Sequence, residues 1–249
     1  MSRPASPARA AAALAVSELR VTARRGENVL VTMVIPAAVL VFFATTALLP
    51  ARAGRPVDFM LPGSLALAIM AAGLVNLGIA TAYERSYGVL KRLGGSPLPR
   101  WGLVTAKIGA VLVLEVAQIV VLFVIAAGVL GWQPGPRISV PVFTASWLLG
   151  TLAFAGLGLL MAGRLRAEAT LALANGLFLG FLMVGGIVLP IDQLPGPLAA
   201  IAGILPASAL AEAFRAALGT GSSAESSLLI LAAWGLGASA LAVRTFRWE

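Results

Sequence analysis

FMLPGSLALAIMAAGLVNLGIATAY, residues 59–83, runs for 25 positions without a charged side chain. The 18 that follow, ERSYGVLKRLGGSPLPRW at 84–101, carry five: Glu84, Arg85, Lys91, Arg92 and Arg100. A helix of 25 residues rises about 37 Å, and the hydrocarbon core of a bilayer is about 30 Å thick. The step from Tyr83 to Glu84 therefore reads as the exit of a membrane-spanning helix. The fold follows from it: apolar spans joined by short charged segments.

The rest of the chain repeats the pattern. Residues 28–51, 138–163 and 169–191 are also free of charge. So is 226–243, which is shorter but apolar enough to cross. A further span lies within 103–130, interrupted by Glu115. The expectation is an all-α polytopic membrane protein, a single domain over 1–249, with six spans near 28–50, 59–82, 103–130, 139–163, 169–189 and 227–244. Composition agrees. Of 249 residues, 59% are apolar and 11% charged, with mean hydropathy +0.96. Soluble domains carry about 25% charged residues.

The loops orient the chain. With the N-terminus inside, the outer segments hold only Arg52, Arg55, Arg137 and Arg215 of the 18 basic residues. This is the positive-inside bias. It places both termini in the cytoplasm and accounts for the net charge of +8 without nucleic acid. The run Ala10–Val16 is too short for a span, and Glu18 and Arg20 follow it at once. Residues 7–26 read as a helix lying on the inner membrane surface, with Ala12, Val16 and Leu19 on its apolar side.

Two segments stand out. In 83–95, Val89, Leu90 and Leu93 form a short apolar ridge among charges, and Gly94-Gly95 with Pro97 ends the helix. On residues alone this could be a positive-inside loop with a snorkelling helix. In 190–218, Pro190, Pro195, Pro197 and Pro206 forbid one straight span. A short re-entrant or interfacial helix at about 196–205 is expected after Asp192. An amphipathic helix at about 207–218 follows, with Glu212 and Arg215 paired at i,i+3. Irregular backbone at membrane depth survives only where protein or water shields it.

These residues carry a resemblance. Glu84, Arg85, Gly88, Leu90, Arg92, Leu93, Ser96 and Pro97 are similar, in order, to the pattern between spans two and three of ABC-2 type permeases. The run from Gly185 through Pro190, Asp192, Pro195, Pro206, Glu212, Phe214 and Arg215 resembles that family's segment after span five. Arg244-Thr245-Phe246-Arg247-Trp248 is similar to family C-termini. Ser86 and Val89 depart from the commoner Glu and Thr. Within the family, the chain looks most like actinobacterial drug-resistance permeases of the daunorubicin-exporter kind.

The resemblance implies a membrane subunit of an ATP-driven exporter in a bacterial plasma membrane. Residues 83–95 would then be the coupling helix docking on an ATP-binding subunit, through Glu84, Arg85, Tyr87, Gly88, Leu90, Lys91, Arg92 and Leu93. Residues 190–218 would form extracellular re-entrant helices. ATP and Mg would sit in the partner. A P-loop needs Gly-Lys-Ser/Thr, and the two lysines here, Lys91 and Lys107, follow Leu90 and Ala106. Two ATP-binding subunits and a second permease copy or paralogue are implied, with hydrophobic drug-like or lipid-like substrates.

Enzyme readings are narrow. There is no Cys and no His, which removes thiolate and imidazole metal sites, Cys nucleophiles and His bases. The acids are scattered along the chain. Glu115 is the notable one, since a charge inside a span is a functional candidate. Gln118, one turn on, could hydrogen-bond it. Asn76 and Asn175 also lie inside spans and could serve a translocation pathway or interhelical hydrogen bonds. A secondary transporter or channel using Glu115 is the competing expectation, and a non-transporting membrane anchor is a further one.

Overall fold

The computed structural model describes residues 13–20, 26–46, 55–95, 99–221 and 223–246, with side chains of 26–31 excepted. Ser96, Pro97, Arg247, Trp248 and much of the expected interfacial helix fall outside these ranges. The described residues are helical, with no strand among them. In order they form α1 (13–20), α2 (Gly26–Thr45), α3 (Pro56–Ser86), α4 (Val89–Gly94) and α5 (Arg100–Gly128). Then come α6 (Val140–Ala162), α7 (Ala167–Val184), α8 (Gly196–Ala202), α9 (Pro206–Ala217) and α10 (Glu225–Thr245).

Five of these, α3, α5, α6, α7 and α10, are long and apolar enough to cross a membrane. α2 has 20 residues, of which Thr32–Thr45 is apolar and described with side chains. Many of the boundaries follow local chemistry. α3, α6, α8 and α9 each carry Pro in the first turn, where the missing N–H costs nothing. α7 ends at Val184, short of 189, because Gly186 takes φ +67 and turns the chain.

α3 and α6 form the centre of the bundle and are the most buried crossing helices. They meet backbone to backbone. A Cβ on Gly158 of α6 would lie 2.5 Å from the Gly73 carbonyl oxygen. Gly73 sits in a π-helical turn, Ala71–Leu77, within α3. Small residues at such crossings let helices approach closely where water supplies no driving force. α10 packs along α6, and α9 is buried among α3, α6 and α10. Aromatic contacts join Phe123 of α5 to Phe143 of α6 at 5.9 Å, and Phe143 to Phe214 of α9 at 5.1 Å.

The outer helices present apolar ridges. Val113, Val116, Val120 and Val124 of α5 are exposed at helical spacing, as are Leu229 and Leu236 of α10. Ridges of this kind suit lipid and not water. The chain is a multi-pass membrane protein.

One expectation changes in detail. The segment 83–95 is not one helix. α3 continues to Ser86, the chain turns at Tyr87-Gly88 with Gly88 at φ +72, and α4 restarts at Val89. On α1, Val16 of the expected apolar side is exposed, while Leu14 and Glu18 face the protein, because α1 packs against the start of α5.

Candidate functional site: an exposed turn above a buried ion triad

The turn between α3 and α5 has an outer and an inner side. Outside stand Tyr87, 75% exposed, Val89, 44% exposed, and the exposed Lys91 and Arg92. The Tyr83 and Tyr87 rings lie 6.0 Å apart. The left-handed backbone at Gly88 lets α3 end and α4 begin within two residues. That projects a compact apolar and basic knob.

The inner side is bolted down. Leu90 is fully buried, packed with Leu103 of α5 and Phe246 beyond α10, with Leu14 and Leu93 beside them. Leu90 therefore corrects the sequence-based docking set. The helical turn of α4 points it toward its own chain, with Leu93 three residues on half-buried on the same face. Arg85 donates to the Leu165 carbonyl, which ties the end of α3 to the turn before α7. Glu84 accepts from Lys107 Nζ at 2.7 Å, and the same ammonium reaches Glu18 of α1 at 2.8 Å. Lys107 is 1% exposed. A buried cation needs such partners, because its desolvation costs several kcal/mol.

A second polar group lies mid-span. Glu115 is buried on α5, and its Oε2 accepts from Trp147 Nε1 at 2.7 Å and Thr151 Oγ1 at 2.5 Å, both on α6. Gln118 does not bond Glu115 through its amide nitrogen. That Nε2 donates to the Thr32 carbonyl of α2 at 3.2 Å, and Asn76 Nδ2 donates to Thr32 Oγ1 at 2.7 Å. The cluster links four helices. Asn175 stands apart: it is exposed on α7 and donates to Leu171 of its own helix at 2.9 Å.

At the opposite end of α3, Arg215 of α9 is 4% exposed. It pairs with Glu212 at 2.6 Å, donates to the Gly186 carbonyl and lies 4.1 Å from the Phe59 ring centroid. α8 and α9 are bent by 76° across Gly203–Leu205. Pro190 is buried, whereas Asp192 and Pro195 are exposed beside α8. A cavity of about 410 Å³ opens between these elements, lined by Pro190, Asp192, Ser208, Glu212 and serines of α10.

Sequence reasoning did not single out Lys107, Glu18, Trp147, Thr151 or Thr32. Lys107 left one signal: it is a charge one turn beyond Leu103, in the run 103–130 whose other charge is Glu115. A groove of about 440 Å³ runs along α3 from Asn76 to the knob, lined by Val75, Ile79, Tyr83, Glu84, Tyr87 and Val89.

The ABC-2 type transporter family matches residues 9–218. The Bacillus subtilis (strain 168) protein named "Putative transport permease YvfS" is 24% identical over 194 residues, covering 77% of this chain and 78% of that protein. The family match spans the bundle core, the knob and the bent pair α8–α9, and on that ground the chain belongs to the ABC-2 type transporter family.

Proposed function

We propose that this chain is the permease subunit of an ATP-driven exporter, and that the knob 87–92 is where a separate ATP-binding subunit docks. One observation carries the reading: an exposed Tyr, Val, Lys and Arg surface stands on a turn whose opposite side is fixed to α1, to α5 and to Phe246 after α10. A force applied there has a stiff path into the bundle. The family to which the chain belongs works with an ATP-binding subunit in general. Two such subunits, carrying ATP and Mg, and a second permease copy would complete the assembly in a bacterial plasma membrane. Both termini would be cytoplasmic and α8–α9 a re-entrant element on the outer side.

The substrate is a hydrophobic drug-like or lipid-like molecule moved outward. The part of the groove along α3 away from the knob supports this, since Val75, Ile79, Ala80 and Tyr83 line it together with Asn76. No nucleic acid is involved, and lipid covers the outer ridges. The resemblance to daunorubicin-type permeases belongs to the same reading.

Purification of the tagged chain from native membranes in mild detergent tests it. A P-loop ATPase co-purifies with the wild type and is lost from a Tyr87→Ala, Arg92→Ala double variant. If no ATPase appears under several detergents, the docking assignment fails, and a carrier built on Glu115 becomes the leading account.

A further inference from the structure

We propose that Lys107 is the positioning residue that makes α1, the end of α3 and the start of α5 displace as one body when the knob is pushed. The proposal rests on the exporter reading above.

The geometry is a registered pair of helix faces. On α1, Leu14 and Glu18 lie one turn apart, and on α5, Leu103 and Lys107 do the same. Leu14 packs against the apolar cluster of Leu90, Leu103 and Phe246, and Glu18 meets Lys107 at 2.8 Å. Glu84 enters from α3 and bonds the same ammonium at 2.7 Å. The two carboxylates come from segments 89 and 23 residues distant from Lys107. None of the contacts is local, so none is needed to form a helix.

The charges make the pin a single point. Two carboxylates share one ammonium that is 1% exposed, while they are 18% and 20% exposed. Without the cation the two carboxylates repel across the gap. α1 then loses its polar tie to α5, and the tie from α3 into α5 is lost with it. Eight residues beyond Lys107 on the same helix stands Glu115, bonded to α6. A displacement of the inner end of α5 is thereby delivered to the mid-span cluster.

The chain contains no Cys, so spin labels can be placed singly without removing a native thiol. One pair, Val16→Cys with Trp101→Cys, uses two exposed positions on α1 and α5 and reads the body itself. A second pair, Val120→Cys with Leu236→Cys, reads the movement of α5 against α10. Both are measured by electron–electron resonance on the chain with its co-purified ATPase in nanodiscs, with and without ATP and vanadate.

The expected results are specific. The first pair gives one narrow distance in wild type that ATP leaves unchanged. Lys107→Met at least doubles its width, and Lys107→Arg restores it. The second pair shifts with ATP–vanadate in wild type and not in Lys107→Met, although the ATPase remains bound and hydrolyses ATP. Glu18→Gln, which keeps the Lys107–Glu84 pair, widens the first distance while retaining the shift of the second. It provides the test should Lys107→Met fail to fold. A narrow first distance in Lys107→Met or Glu18→Gln, or a full ATP-driven shift in Lys107→Met, overturns the proposal. Absence of any co-purifying ATPase from wild type removes the exporter reading instead. The first pair still judges whether Lys107 holds α1 to α5.

Discussion

The two ends of α3 are each held by one buried cation, and the two cations work differently. Phe59 and Glu84 are separated by 25 helical positions, roughly 37 Å at 1.5 Å per residue, which exceeds the roughly 30 Å hydrocarbon core. Near Phe59 sits Arg215, bonded to Glu212 on its own helix, to the Gly186 carbonyl and stacked on the ring. Near Glu84 sits Lys107, bonded among the described residues to carboxylates from two other segments. Arginine spreads its charge over a planar fork and serves several kinds of acceptor, whereas lysine is a point charge. The Arg215 site therefore fixes the shape of a loop and a bent helix pair against α3. The Lys107 site fixes segments to one another. One end is braced, and the other is linked.

The comparison breaks first at the cations. Removing one partner of a buried ion pair costs about 3–5 kcal/mol. Lys107→Met leaves two like-charged carboxylates facing each other, so its thermal unfolding in detergent is expected at the upper part of that range. Arg215→Met leaves Glu212, whose side chain is 36% exposed and can rehydrate, so the loss is expected to be smaller. Equal losses would mean that both cations are braces.

Next comes the crossing that carries load between the ends. Gly158→Ala places a methyl 2.5 Å from the Gly73 carbonyl oxygen, and neither backbone can yield cheaply. Overpacking of this kind costs about 1–3 kcal/mol. Gly176→Ala on α7 meets nothing within 4 Å and is expected to leave the melting of the isolated chain unlowered. If Gly158→Ala melted like wild type, α3 and α6 would not be in rigid contact.

The mid-span cluster is a smaller term. Glu115→Gln keeps an oxygen to accept from Trp147 and Thr151, so stability is expected to change by less than about 1 kcal/mol. Glu115→Leu removes both bonds and is expected to cost up to roughly 1.7 kcal/mol, read in the same melt. Loss of all transport by Glu115→Gln, at unchanged stability and with the ATPase bound, would favour a direct role for the carboxylate.

The smallest effect on stability is expected at the knob. Tyr87→Ala and Arg92→Ala lie on an exposed surface, where substitutions shift stability within about 0.5 kcal/mol. Retention of fold with loss of the ATPase would separate docking from bracing.

The pattern of uncharged runs was enough to determine an all-helical membrane chain, because a bilayer demands about 20 apolar residues per crossing whatever the helix packs against. Proline placement fixed the break between α8 and α9, since a missing N–H acts within a turn. The Glu212–Arg215 pair was legible for the same reason: i,i+3 neighbours meet on any helix. Glu115 was visible as a charge in a span, but its partners on α6 were not. The side of α4 that faces inward, the meeting of Glu18, Glu84 and Lys107, and the Gly73–Gly158 contact were decided only by the tertiary structure. Each joins residues tens of positions apart, and which helix faces meet depends on crossing angles set by the whole bundle, not by any local spacing.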